Sequence, residues 1–125
     1  MVERWEPKPR LEVVMPYIGG VLSVNDYKIR GRGGRPTNRT KTIVLIWMER
    51  LAGEVKDFKH NGSLVIELFG RFKDDRSTPD LANLHKVIGD AIRDGIGLDD
   101  KYFKFIDRGY DVDNSSPTLN ITLTV

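Results

Sequence analysis

Carboxylates and one lysine gather in the second half of the chain with a spacing that could support chemistry. Asp80 stands near the start of a segment with helical periodicity, Lys86 follows six residues later, and Asp99 and Asp100 come just beyond its end. Carboxylates without histidine or cysteine partners suit hard cations such as Mg²⁺, which completes its shell with water and substrate phosphate. Such an ion lowers the pKa of bound water, and a nearby lysine neutralises charge on phosphate. The pattern therefore indicates phosphodiester hydrolysis in DNA or RNA.

A second group of residues is basic and lies earlier in the chain. The segment from Lys28 to Lys41 holds six basic side chains and no acidic one, so the remainder is acidic although the net charge is +2. It overlaps a long stretch, Pro16 to Pro36, that contains five glycines. A basic block in such a loop predicts phosphate contacts. The predicted contacts are Lys28, Arg30, Arg32, Arg35, Arg39 and Lys41, with Tyr27 either stacking on an unpaired base or packing at the loop base.

Length and composition limit the classes of protein that fit. A chain of 125 residues is one domain by size, 1–125, and is long enough for a real core. The absence of cysteine excludes a disulfide framework, a thiolate nucleophile and a cysteine zinc site. The first residues contain no apolar run, and no later run could span a bilayer. We therefore expect a cytoplasmic protein.

The hydrophobic pattern predicts the elements that must position these residues. Their order is β-α-β-α-β-β, an α+β fold with a mixed sheet of about four strands and two helices on one side. In the first helix, which starts near Thr37, apolar residues recur at every fourth position. The second helix begins with Thr78 as N-cap and Pro79 at its first position. The predicted strands are Leu11–Met15, Ser63–Phe72, Tyr102–Ile106 and Thr118–Val125. The apolar stripe of the first helix consists of Ile43, Trp47, Leu51 and Val55, with Ile46 and Ala52 beside it. The second helix runs from about Pro79 to Asp94, with Asn83, Lys86 and Asp90 on its polar side.

This order places a geometric demand on the candidate site. The two ends of the second helix are about 20 Å apart at 1.5 Å per residue. Asp80 and Asp100 can meet only if the strand after Lys101 runs back alongside the helix, or if a second subunit supplies one of them.

Two motifs resemble the RusA family of Holliday junction resolvases. The first is Pro79-Asp-Leu-Ala-Asn-Leu-His-Lys-Val-Ile-Gly-Asp-Ala91, followed by the pair Asp99-Asp100. The second and weaker motif is Ser23-x-Asn25-x-Tyr27, after the first strand. The resemblance extends from about Leu11 to the end. It implies a homodimer, from a bacterium or a phage, that recognises four-way DNA junctions by structure. It also implies symmetric cleavage of two strands with Mg²⁺ or Mn²⁺ in recombination and repair.

Carried over by position, the resemblance assigns roles to individual residues. Asp80 and Asp100 match catalytic aspartates that hold the metal, with Asp99 beside them, and Lys86 matches the catalytic lysine, which also contacts DNA. The family has another aspartate two residues after the first, where this chain has Ala82. Three explanations remain open: an engineered substitution, a natural junction binder that does not cut, or replacement by another carboxylate such as Asp74 or Asp75. We favour impaired cleavage.

Ordinary structural roles and other functions remain open beside this interpretation. Asp80 could complement a helix dipole, the Asp99–Asp100 pair could form a turn, and Lys86 could form a surface pair with Asp90. His85 is expected on the helix flank and Trp47 in the core or a dimer interface. The functional alternatives are a non-cleaving protein that binds branched DNA and a carboxylate–metal phosphohydrolase that acts on nucleotides.

Overall fold

The computed structural model describes residues 9–23, 38–76, 78–113 and 115–125. Within these ranges the main elements follow the predicted order β-α-β-α-β-β. The α+β class and the two helices are confirmed. The elements are β1 (Arg10–Pro16), α1 (Asn38–Val55), β2 (Leu64–Phe72), α2 (His85–Ile96), β3 (Phe103–Val112) and β4 (Thr118–Thr124), with short 3-10 turns at Gly20–Leu22, Leu81–Leu84 and Asp100–Tyr102.

The four strands form one mixed sheet in the order β1-β4-β2-β3. β4 pairs antiparallel with both β1 and β2, whereas β2 and β3 are parallel. The parallel pair is the one that α2 connects, as expected for a crossover between parallel strands. β3 is therefore an edge strand, and α2 with the turn at Asp100–Tyr102 leads directly into it. β3 is also longer than predicted, since it continues through Asp111 to Val112.

The core lies between one face of the sheet and the two helices. Alternate residues of β2, including Leu64, Ile66 and Leu68, are fully buried, and the residues between them are half-buried. On α1 the predicted apolar stripe is partly wrong, because Ile43 and Ile46 are exposed. The buried face of α1 instead consists of Val44, Trp47, Met48, Leu51 and Val55. Trp47 is in the core, and its Nε1 donates a hydrogen bond to the Pro16 carbonyl at 2.7 Å.

The start of the second helix differs from the prediction. Leu81–Leu84 forms a 3-10 turn, and the α-helix begins only at His85. Thr78 is not the cap, because its hydroxyl donates to the Asp74 carbonyl at 3.0 Å. Asp80 caps the 3-10 turn, with its carboxylate accepting from the Ala82 amide at 3.1 Å. At the other end Gly97 stops α2 in the left-handed conformation (φ 73°), so the helix ends at Ile96, two residues beyond the predicted Asp94.

The two helices pack closely against each other near their C-terminal ends. A Cβ added to Gly95 would lie 2.5 Å from the Ala52 carbonyl oxygen and 2.8 Å from a methyl group of Val55. The contact therefore requires glycine on α2, for reasons of space. None of the helices in the described ranges is long and apolar enough to cross a bilayer.

Candidate functional site

An open cleft of about 320 Å³ lies between the start of α2 and the start of β3. Two of the residues predicted to be functional, Lys86 and Asp100, line it together with Ala82. The helix side is formed by Ala82, His85, Lys86 and Gly89, and the strand side by Asp100, Phe103 and Phe105.

One chain forms the whole cleft, because β3 runs back alongside α2. Phe105 stacks on His85 at the first turn of the helix, and Asp107, two residues further along the strand, hydrogen-bonds to the same imidazole. Asp100 precedes the strand and lies on the same cleft as Lys86. A single chain thus brings the beginning of the helix and the segment after it to one surface.

Asp80 stands beside the cleft rather than on its lining. It is exposed, and its carboxylate is engaged by the amide of the cleft residue Ala82. Its carbonyl also accepts a hydrogen bond from the Asn83 amide at 2.9 Å, which completes the turn. Asp80 therefore has an ordinary structural role as the cap of the 3-10 turn. It lies two residues before Ala82, whose side chain has no atom that could bind a metal.

Asp99 has a similar capping role on the other side. It caps the turn at Asp100–Tyr102, and the Lys101 amide donates to its Oδ1 at 3.1 Å. This hydrogen bond, together with the charges of Lys101 and Arg93, lowers the pKa of the Asp99 carboxyl from its ordinary value. Asp99 is thus an ionised turn residue, and Asp100 is the member of the pair that lines the cleft.

Lys86 belongs both to the cleft and to a charged group on α2. Its Nζ lies 3.3 Å from Oδ1 of Asp90, and Arg93 Nη2 lies 3.5 Å from the same oxygen. Asp90 was predicted on the polar side of the helix, but it is buried, with 4% of its surface exposed. The buried Asp90 carboxylate therefore pairs with the Lys86 ammonium group, while the Lys86 side chain remains 40% exposed.

A histidine–aspartate pair that the sequence did not predict lies at the edge of the cleft. His85 Nε2 lies 2.8 Å from Asp107 Oδ1, and the imidazole stacks on Phe105 with ring centroids 4.2 Å apart and an interplanar angle of 12°. The expectation that His85 lies on the helix flank describes its position but not these contacts. The missed signal is the alternation of Phe103, Phe105 and Asp107, which share one face of a strand.

Neither Asp74 nor Asp75 replaces the missing carboxylate in the cleft. The Tyr110 hydroxyl donates to Asp75 Oδ1 at 3.1 Å, which raises the pKa of the Tyr110 phenol. Tyr110 lies five residues beyond Phe105, roughly 17 Å along an extended strand. Asp74 precedes Asp75 and, like it, is absent from the lining of the cleft.

The predicted DNA contacts are only partly within the described ranges. Arg39 and Lys41 are exposed in the first turns of α1, where no acidic residue occurs. The other members of the basic block lie outside the described residues, as does the aromatic residue that precedes them: Tyr27, Lys28, Arg30, Arg32 and Arg35.

The side chains at the cleft do not fit a preformed magnesium or manganese site. Among the described residues, no group of three or more His, Cys, Asp or Glu side chains could hold a metal ion. The cleft has one carboxylate, from Asp100, and at Ala82 it has no ligand atom. A carboxylate at position 82 is the change that would add a second oxygen ligand to the same lining.

No family model matches its sequence, and no curated protein matches it.

Proposed function

We propose that this chain is a Holliday junction resolvase-like, structure-specific endodeoxyribonuclease whose cleavage step is impaired by Ala82. The observation that carries the proposal is the cleft, in which position 82, Lys86 and Asp100 meet although positions 82 and 100 are eighteen residues apart. These are the positions that the motif links to phosphodiester chemistry. The cleft is open, so a strand of a large DNA substrate can reach it.

The side chains of the cleft suit a phosphodiester as ligand. Lys86 offers an ammonium group on the cleft lining, and the buried Asp90 carboxylate pairs with it at 3.3 Å. An ammonium at that position stabilises the negative charge that develops on a phosphate in the transition state. Arg39 and Lys41 add positive charge at the start of α1 for contacts to the DNA backbone.

A divalent ion would supply a water of lowered pKa and would neutralise charge on the phosphate. Asp80, Asp99 and Asp100 are the carboxylates proposed for it, but two of them cap turns and the described residues form no complete site. We therefore assign the impairment to ligand number and not to the absence of a cleft. We further propose a homodimer, since a two-fold axis lets one small domain address two equivalent strands of a junction.

The experiment is a junction cleavage assay with Mg²⁺ and with Mn²⁺ that compares the original chain with Ala82→Asp. The control is Ala82→Asn, which has nearly the same shape but lacks the charge. Metal assistance is worth several kcal/mol and about 1.4 kcal/mol is tenfold in rate, so Ala82→Asp should cleave on the order of 100-fold faster than Ala82→Asn. Equal rates for the two variants would contradict the proposed impairment.

A non-cleaving protein that binds branched DNA is the second candidate, and the observation that favours it is Ala82 on the cleft lining. Tight, structure-selective binding with no cleavage by either variant would support it. A phosphohydrolase that acts on nucleotides is distinguished in the same assay, because mononucleotides and not short duplex DNA would compete.

A further inference from the structure

One side of the cleft is aromatic. Phe103 and Phe105 lie two residues apart on β3, so both side chains leave the same face of the strand. His85 extends this side by stacking on Phe105, and its ring orientation is fixed by Asp107 at 2.8 Å. A planar ring held in this way is a surface on which another flat ring can stack.

Gly89 leaves space opposite this aromatic side. It is buried in the interior of α2, where alanine is the better helix former. The nearest atom to an added Cβ would be Phe105 Cζ at 3.5 Å, which is an ordinary contact, and the backbone is not in the left-handed conformation. In contrast to Gly95, Gly89 is therefore required neither by packing nor by backbone geometry. The lack of a side chain widens the cleft.

Two charged groups share the cleft with the aromatic side. Lys86 provides a cation and Asp100 a carboxylate. A flat apolar ring with N–H donors, joined to a phosphate, would satisfy the aromatic side, the carboxylate and the lysine together. The volume of about 320 Å³ is at the lower end of the range for small-molecule pockets. It suits one nucleotide and is too small for a stacked base pair.

We propose that the cleft is a binding subsite for one unpaired nucleotide of a DNA strand. The base stacks on the aromatic side of the cleft, formed by Phe103 and His85. Asp100 accepts a hydrogen bond from the base, and Lys86 binds the adjoining phosphate. The inference rests on the proposed function for its DNA source, because a base leaves the stack at least cost where its pairing is already disturbed. It adds to that function a contact with the base that a backbone-only nuclease would lack.

The test is a double-mutant cycle on equilibrium binding, measured by fluorescence anisotropy with the whole chain. Gly89→Leu fills the cleft, and Gly53→Leu is the control, because Gly53 is an exposed glycine inside α1 with open space around it. The DNA partners are a four-way junction, the same junction with abasic nucleotides flanking the branch point, and a linear duplex. Circular dichroism checks folding, and Gly89→Ala provides a milder variant that the packing accommodates.

Stacking of one base is worth about 5- to 100-fold in affinity. Gly89→Leu should weaken binding to the intact junction by that factor and binding to the abasic junction much less, while Gly53→Leu changes neither. Equal losses on both junctions would overturn the subsite while leaving the proposed function in place.

A second arm separates a failure of the subsite from a failure of the proposed function. Nuclear magnetic resonance titrations with thymidine 5′-phosphate and with deoxyribose 5-phosphate report on the rings of Phe103 and His85. Chemical-shift changes of these rings that only the base-bearing compound causes would support the subsite. If the protein also failed to bind any junction, the proposed function would be overturned while the subsite would stand. Identical shifts with both compounds would overturn the subsite.

Discussion

Asp80 shows how one side chain can belong to a motif and to a turn. Its carboxylate accepts the Ala82 amide and caps the 3-10 turn that starts the second helix. Asp99 does the same for the next 3-10 turn. Both aspartates therefore serve local structure, and of the four predicted catalytic and metal-binding residues Lys86 and Asp100 are the two that line the cleft. The proposed function depends most on these two side chains.

The buried Asp90 is predicted to stabilise the second helix by pairing with two cations. Its Oδ1 lies within 3.5 Å of nitrogens of Lys86 and Arg93, and substitution by alanine would leave two cations without their shared carboxylate. We expect Asp90→Ala to lower the free energy of unfolding by about 1–3 kcal/mol. Urea denaturation measures this, with Asp94→Ala as an exposed control on the same helix. An unchanged free energy of unfolding in Asp90→Ala would contradict a stabilising role for this carboxylate.

The Tyr110–Asp75 hydrogen bond predicts a pH effect with a definite sign. The carboxylate raises the pKa of the Tyr110 phenol above its ordinary value near 10, so the folded state holds this proton more tightly than the unfolded chain does. The stabilisation is present below that ordinary value and is lost as the pH rises through the folded-state pKa. In Tyr110→Phe, ultraviolet difference titration should lose a late-titrating phenol, and stability should fall less steeply in alkali. Superimposable curves would contradict the assignment.

At the scale of elements, the fold positions the site through the path from α2 to β3. The helix ends at Gly97, the 3-10 turn reverses the chain, and β3 returns along the start of the same helix. The helix and strand that form the cleft are adjacent in sequence, so the geometry requires only one tight connection. The helix is in turn held against α1 through the close approach at Gly95.

Two glycines in helices predict opposite effects of the same substitution. Gly95→Ala places a Cβ 2.5 Å from the Ala52 carbonyl oxygen, so the helices must separate. We expect a destabilisation of about 1–3 kcal/mol from overpacking. The matched control, Gly53→Ala, meets no atom within 4 Å and should stabilise the protein by up to about 1 kcal/mol. Thermal or urea unfolding measures both, and equal effects of the same sign would contradict the packing argument.

The order and type of the elements could be predicted from the sequence, because strand alternation and helical spacing are local signals. The face of α1 and the start of α2 could not. Ile43 and Ile46 fit a helical stripe, yet tertiary packing selects the face that carries Val44 and Met48. Thr78-Pro79 is a typical helix start, but the hydrogen bond from Thr78 to Asp74 competes with it and shifts the cap to Asp80.

The candidate site was predictable only in part, for a related reason. Lys86 and Asp100 follow from the motif, but the stacking of His85 on Phe105 depends on which strand residues face the helix. The position of β3 along the helix is set by the 3-10 turn at Asp100–Tyr102, and these three residues have no distinctive pattern in the sequence. The homodimer and the DNA partner stay predictions.

At the scale of the whole molecule, charge is distributed unevenly, and this predicts the salt dependence of DNA binding. Each neutralised phosphate contributes about 0.9 to the slope of log affinity against log salt. Replacing Arg39 and Lys41 by glutamine should therefore reduce that slope by up to about 2. The control is Lys56→Gln with Lys59→Gln, two exposed lysines after α1. Anisotropy titrations at several salt concentrations measure the slopes. Equal reductions in both double variants would contradict a specific role for Arg39 and Lys41 in phosphate binding.

The proposed function requires that a metal ion and a DNA phosphate meet in the cleft between α2 and β3 once position 82 carries a carboxylate. Paramagnetic broadening of amide resonances by Mn²⁺ in Ala82→Asp tests it most directly, with Ala82→Asn as control. We expect broadening centred on residues 80–86 and 99–101 that is much stronger in the aspartate variant. Equal broadening in both variants, or broadening centred on Asp75 or Asp111 instead, would contradict it.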